Sequence, residues 1–285
     1  MEAMSPLRSL PRPAARGLAA AALLLSLAGG ATAADRMASE LRGAGSPTIV
    51  LIHSIGGDRS DWDPIAPALA KHHRLLLVDL PGHGRSAPPD KATVTAAARA
   101  LGQVMAKNKV TGALLVGHSY GALVALETAA ADPKAASAVV TIDAATYTPA
   151  DSAQISDMDE LLRQRYTAFL RAIFERMSTD PVQSDTLIAH AMRVKPEVLT
   201  AYFRDVWHED LRPRLKTMKT PVHAILTGML WPPAESWTSA RARLGYAGAG
   251  PVQGYRIQDS AHYVMLDEPD SLVATIERIS EQGSR

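Results

Sequence analysis

Four short, almost unbroken apolar runs alternate with alanine-rich stretches in the first half of the chain: Thr48 to His53, Arg74 to Leu80, Ala113 to Gly117 and Ala138 to Asp143. Runs of this length, each followed by turn residues, read as strands buried on both faces of a parallel sheet. Between them, Trp62 to His72, Thr93 to Lys107 and Gly121 to Ala131 read as helices, the last stopped by Asp132-Pro133. Strand and helix in alternation predict an α/β fold, a mostly parallel sheet flanked by helices.

From about residue 145 to 219 the strand pattern disappears. Apolar positions at Leu161, Leu162, Phe169, Ile173, Leu187, Ile188, Met192, Leu199, Phe203 and Val206 recur at helical spacing, broken by Pro181 and Pro196. Three or four short helices follow, as an all-helical insertion after the strand that ends at Asp143. The alternation then resumes with a strand at Val222 to Thr227, a mixed segment at Ser236 to Tyr246, a strand at Gly254 to Gln258 and a closing helix at Ser271 to Ile279. This gives an α/β core over 34–144 and 220–285, interrupted by a helical insertion at 145–219.

The first 33 residues read as an address. Arg8, Arg12 and Arg16 precede a short apolar run, Leu18 to Leu27, and Ala31-Thr32-Ala33 is a small-residue cleavage signal. The run is too short for a comfortable membrane-spanning helix, which needs about 20 residues. A Sec-type signal peptide is expected, with a periplasmic or secreted product that keeps no stable span after cleavage.

Composition narrows the chemistry. The chain has 285 residues, 30 Lys plus Arg against 29 Asp plus Glu, and no Cys. Balanced charge without a basic stripe argues against nucleic acid as a partner. Without cysteine there is no thiol nucleophile, disulfide scaffold or cysteine-ligated zinc. No His/carboxylate cluster shows a metal-ligand spacing and no glycine loop reads as a phosphate cradle, so neither a metal nor a cofactor is expected. Reactivity has to come from Ser, His and carboxylates. Oligomeric state is not legible.

The strand ending at Val116 runs into Gly117-His118-Ser119-Tyr120-Gly121 and then a helical stretch. A G-x-S-x-G pentapeptide between strand and helix is a nucleophile elbow, where flanking glycines permit a turn tight enough to leave the Ser side chain free. Ser119 is the candidate nucleophile. A serine hydroxyl needs a base, and His262, just after the last strand, is the candidate. His53, His83 and His118 lie at strand ends or in a glycine-rich turn and suit shaping roles.

Four segments carry a family resemblance: Leu51-Ile52-His53-Ser54-Ile55-Gly56-Gly57, Val78-Asp79-Leu80-Pro81-Gly82-His83-Gly84-Arg85-Ser86, the elbow, and Ser260-Ala261-His262-Tyr263-Val264-Met265-Leu266-Asp267. Over roughly residues 37 to 280 the chain resembles the alpha/beta-hydrolase superfamily, in its single-domain form with a helical cap. The resemblance implies a Ser-acid-His order and an oxyanion hole built from the backbone N–H groups of Ile55 and Tyr120. Ser54 stands where relatives usually have glycine. The usual acid position is also changed: Thr227-Gly228-Met229-Leu230-Trp231 holds no carboxylate. The resemblance implies Asp143, at the alternative position that some relatives use after the strand following the elbow helix, as the candidate acid, with Glu235 or no carboxylate at all as the alternatives.

The serine elbow, rather than an aspartate, implies acyl transfer to water, with a carboxylic ester first and a lactone, amide, carbon–carbon bond or perhydrolysis by the same triad as alternatives. A ligand-binding member without catalysis is the competing class. The expected partner is a small-molecule acyl substrate. Tyr147, Tyr166, Phe169, Phe203, Trp207, Met229 and Trp231 are candidates to line its pocket, or equally the ordinary core of a helical cap.

Overall fold

The computed structural model describes residues 37–282; the expected signal peptide lies outside them. Seven strands form one sheet: β1 Ser39–Arg42, β2 Ile49–Ile52, β3 Leu75–Val78, β4 Ala113–His118, β5 Ala136–Ile142, β6 Val222–Thr227 and β7 Val252–Ile257. Their order is β1-β3-β2-β4-β5-β6-β7. Only β1 runs antiparallel, against β3; every other pairing is parallel. Each residue of β2, β3, β4 and β6 is buried, because strands covered on both faces have no polar side to show. The edge strand β1 alternates exposed and half-buried residues, and its polar sequence gives no apolar run to read.

The helices are α1 Ala66–Leu69, α2 Val94–Lys107, α3 Tyr120–Ala131, α4 Ser152–Gln164, α5 Tyr166–Phe174, α6 Pro181–Ala191, α7 Pro196–His208, α8 Arg212–Leu215, α9 Trp237–Arg243, α10 Val264–Asp267 and α11 Pro269–Gln282. The expected helix at Trp62 to His72 is instead a 3-10 turn, Arg59–Trp62, followed by the single turn α1. Pro64 and Pro67 bar a helix from running through them and delay its start, with Pro67 accommodated in the first turn of α1. Local signals account for most other helix starts. Thr93 accepts from the Ala96 amide ahead of α2, Asp151 and Gln154 form a reciprocal capping box on α4, and α6 and α7 each begin at a proline.

Helices α4 to α8 fill the stretch between β5 and β6, with a single isolated bridge, Tyr147 to Asp210, at its neck. This helical segment sits on the loops at the C-terminal ends of the strands. A Cβ at Gly56 would lie 2.9 Å from both Ala191 and Phe174, and one at Gly82 would lie 2.6 Å from Val198. Among the described residues no helix is long and apolar enough to cross a membrane.

Candidate active site

The elbow joins β4 to α3 and requires its glycines. Ser119 has φ 52° and ψ −116°, a region that non-glycine residues enter only when their surroundings hold them there. Its amide donates to the Ile142 carbonyl at 2.9 Å, docking the turn onto the end of β5. A Cβ at Gly117 would meet the Gly121 carbonyl oxygen at 2.2 Å, and a Cβ at Gly121 would meet that of Ile52 at 2.2 Å. The strand and helix are that close. The Tyr120 amide belongs to the first turn of α3, where N–H groups have no acceptor within the helix.

His262 and Asp143 are brought together. His262 Nδ1 lies 2.7 Å from Asp143 Oδ2, and the other carboxylate oxygen accepts from the Thr227 amide at 3.0 Å and its hydroxyl at 2.9 Å. The Asp143 side chain is only 1% exposed. A buried carboxylate facing Nδ1 keeps the proton there, so the neutral ring presents Nε2 as an acceptor. Asp143 has φ 46° and is anchored by its own amide on the Ile225 carbonyl at 2.8 Å. Glu235, the alternative acid, is instead paired with Arg243 at 2.6 Å and accepts from Ser239; the Arg243 hydrogen bond holds its carboxyl below the usual range.

The residue before the nucleophile ties the two halves together. His118 Nε2–H donates to the His262 carbonyl at 2.9 Å, and the two rings lie 4.5 Å apart between centroids. Burial pushes the His118 pKa well down. It stays neutral and puts no positive charge beside His262.

Two further histidines shape the loop after β2. The Leu80 amide donates to His53 Nε2 at 2.8 Å, which leaves the proton on Nδ1 to bond the Ser54 carbonyl at 2.7 Å. The Gly56 amide donates to His83 Nε2 at 3.1 Å. Burial lowers these pKa values to about 4 and about 3, so both rings are neutral at pH 7 and can accept. Gly56, at φ 81°, thus has its amide engaged, and Ile55, just before it, keeps its candidacy as oxyanion donor. Ser54, in the unusual position, is buried and faces the Tyr263 hydroxyl.

The candidate pocket residues separate into groups. Phe169, Phe203 and Trp207 form a buried aromatic cluster within the helical segment, with Phe169 edge-on to Phe203 at 5.1 Å. Tyr166 is half-buried on α5. Tyr147 lies under the Arg212 guanidinium at the neck. Trp231 is sandwiched with Arg256 and Trp237, its indole N–H bonded to the Glu235 carbonyl, and Met229 is 57% exposed. Sequence reasoning missed Asp205 on α7, which accepts from the Tyr120 hydroxyl at 2.7 Å and the Val94 amide at 2.9 Å. No motif surrounds Asp205; only its spacing from Tyr202, which bonds the Pro81 carbonyl, hints that this helix face meets the core.

A second polar group was also unforeseen. His190 of α6 lies between two carboxylates of the turn after β2, with Nε2 2.6 Å from Asp58 and Nδ1 3.7 Å from Asp61. These three offer metal-type donor atoms within 4.8 Å of one another. The ring nitrogens face different carboxylates, which is the arrangement of a bridging imidazolium.

Comparison with known proteins matches residues 49–275 to the model of an alpha/beta hydrolase family. The chain belongs to the alpha/beta hydrolase family. It is a hydrolase. A relative from Sodalis glossinidius described as a pimeloyl-(acyl-carrier protein) methyl ester esterase is 29% identical over 229 residues, covering 73% of this chain and 87% of the relative. Among solved structures, a hydrolase from Oleispira antarctica superposes on this alpha/beta hydrolase with TM-score 0.77 at 15% identity, covering 87% of this chain and 96% of that one. An enol-lactonase from Burkholderia xenovorans LB400 gives 0.73 at 22%, covering 85% and 95%. At those identities the structures speak for the shared fold.

Proposed function

We propose that this hydrolase cleaves carboxylic esters, open-chain or lactone, through an acyl-enzyme on Ser119. The observation that carries the reading is the 2.7 Å contact of His262 with Asp143, held against an elbow whose Ser119 sits at φ 52°. His262 Nε2 takes the hydroxyl proton as Ser119 Oγ attacks the acyl carbon, and Asp143 stabilises the imidazolium that forms. The developing oxyanion accepts from the Tyr120 and Ile55 amides; one such donor is typically worth about 10²- to 10³-fold in rate. His262 returns the proton to the leaving alcohol, then activates the water that releases the acid.

Serine at the elbow and the methyl ester esterase among the relatives favour esters over amides and carbon–carbon bonds. The test is covalent labelling with a fluorophosphonate probe alongside a panel of p-nitrophenyl esters and lactones. Labelling and turnover are expected in the parent protein and absent in Ser119→Ala. Labelling retained in that variant, or no turnover of any ester or lactone, overturns the assignment. We further infer export by the first 33 residues, on the sequence alone. Amino-terminal sequencing of protein from the periplasmic fraction should begin at Ala34, and recovery only in the cytoplasm would refute this.

A further inference from the structure

The loop that carries His262 is held at three consecutive residues, and only one of the holds comes from the elbow. The His262 carbonyl accepts from His118, as above. The Tyr263 amide donates to the Met177 carbonyl at 2.8 Å, and the Ala261 amide donates to Asp267 Oδ2 at 2.8 Å. Met177 belongs to the turn between α5 and α6. The other oxygen of Asp267 reaches that same turn, accepting from the Ser178 hydroxyl at 2.7 Å, the Thr179 amide at 3.0 Å and the Thr179 hydroxyl at 2.9 Å.

Asp267 is the last residue of α10, two places before α11 begins, where its simple task would be to receive the first amides of α11. Its described bonds run elsewhere, back to Ser260 and Ala261 and across to Ser178 and Thr179. One carboxylate therefore joins the loop of the base to a turn of the helical segment. Asp143 fixes the plane and tautomer of the imidazole but does not hold the backbone that delivers it.

We infer that Asp267 is a positioning residue for His262, and that it works by fastening the base loop to the Met177–Thr179 turn, so the base is aligned only while the helical segment is seated. The inference rests on the Ser119–His262 reading above. A loop-borne catalytic group has to be held within about 0.5 Å of its productive place, and a misplacement near 1 Å costs about 10²-fold. The segment that covers the substrate thereby also sets the base.

The test uses Asp267→Asn, Asp267→Ala and the double variant Ser178→Ala/Thr179→Ala, which leaves the Ala261 bond in place and spares the loop if Asp267→Ala fails to fold. Hydrolysis of p-nitrophenyl butyrate should show kcat lowered about 10²-fold in Asp267→Ala, less in Asp267→Asn and about tenfold in the double variant, with KM within about twofold throughout. Adding Asp267→Asn to the double variant should cost less than the product of the two, because both break one linkage. The low-field proton NMR signal of His262 Nδ1–H, assigned by its loss in His262→Gln, should broaden in all three. Wild-type kcat and an unchanged signal in the double variant overturn the inference, as does an Asp267→Ala enzyme that only melts at a lower temperature. If Ser119→Ala still labels with a fluorophosphonate, the reading of the site has failed separately, and the NMR signal alone decides whether Asp267 positions His262.

Discussion

Asp143 and Ser119 share an unusual backbone: both are non-glycine residues at positive φ, 46° and 52°, and each turns a side chain off the end of a strand. Asparagine tolerates that region as well as aspartate does, so Asp143→Asn should fold normally. It would present an amide where Nδ1–H needs an acceptor and favour the wrong imidazole tautomer, and kcat should fall about 10⁴-fold. Glu235→Gln should leave kcat within about twofold, since its carboxylate is committed to Arg243; the same ester assay measures both, and the reverse ranking would move the acid. Thr227→Val removes one of the two donors that Asp143 Oδ1 receives from this residue and should lower kcat about tenfold, a typical loss for one hydrogen bond to a charged group. As candidates, Ser119 and His262 are legible because a glycine-flanked serine and a histidine after the last strand need only local sequence to be seen. Asp143 is legible as a candidate from its place at a strand end. Thr227, His118 and Asp205 act through contacts fixed by strand register and helix docking, which no local pattern encodes.

At the level of elements, the buried strands were readable because burial on both faces forces an unbroken apolar run, and their observed ends fall within two residues of those expected. The failures have equally physical origins: β1 is a polar edge strand, and the stretch after Trp62 is interrupted by prolines. The glycines divide in the same way. Gly121 is the second residue of the buried helix α3, with the Ile52 and His53 carbonyls 2.2 and 2.5 Å from where a Cβ would stand, and backbone atoms cannot step aside. Gly121→Ala should therefore destabilise the fold by more than about 3 kcal/mol, seen as a lowered melting temperature or loss of soluble protein. Gly102 lies inside α2 with nothing within 4 Å of its missing Cβ. There Gly102→Ala should stabilise by about 0.5–1 kcal/mol through helix propensity alone. A neutral Gly121→Ala would mean that α3 can slide away from β2, contrary to the close approach that sets the elbow.

The seating of the helical segment on the whole molecule carries a pH dependence of its own. His190 bridges α6 to the turn after β2, and the next residue, Ala191, packs against Gly56 in the loop of the candidate oxyanion donor. The hydrogen bond to Asp58 raises the His190 pKa, with burial and Arg193 opposing and Asp58 and Asp61 adding to the rise. Burial lifts the Asp61 carboxyl to about 7. For both groups the folded protein holds its proton to higher pH than the unfolded chain does, so stability falls as pH rises. The His190 contribution is complete below its unfolded value, near 6.5, and is lost as pH climbs through its raised folded value. The Asp61 charge is resisted from the ordinary carboxyl range up to about 7. Asp58 works in the opposite sense: although burial opposes it, hydrogen bonds from His190 and Ser60 hold its pKa well below normal, and its contribution disappears only in acid. As pH rises above about 6 the segment should therefore loosen, with amide exchange in α6 accelerating beyond the intrinsic base-catalysed rate while the strands stay protected. His190→Gln should lose the imidazole's share of that acceleration, and what remains should shift to higher pH, because Asp61 is then relieved of the neighbouring cation that lowers its pKa. Exchange in α6 that follows the intrinsic rate across this range in the parent protein would show that the imidazole bridges the two carboxylates without fastening the segment.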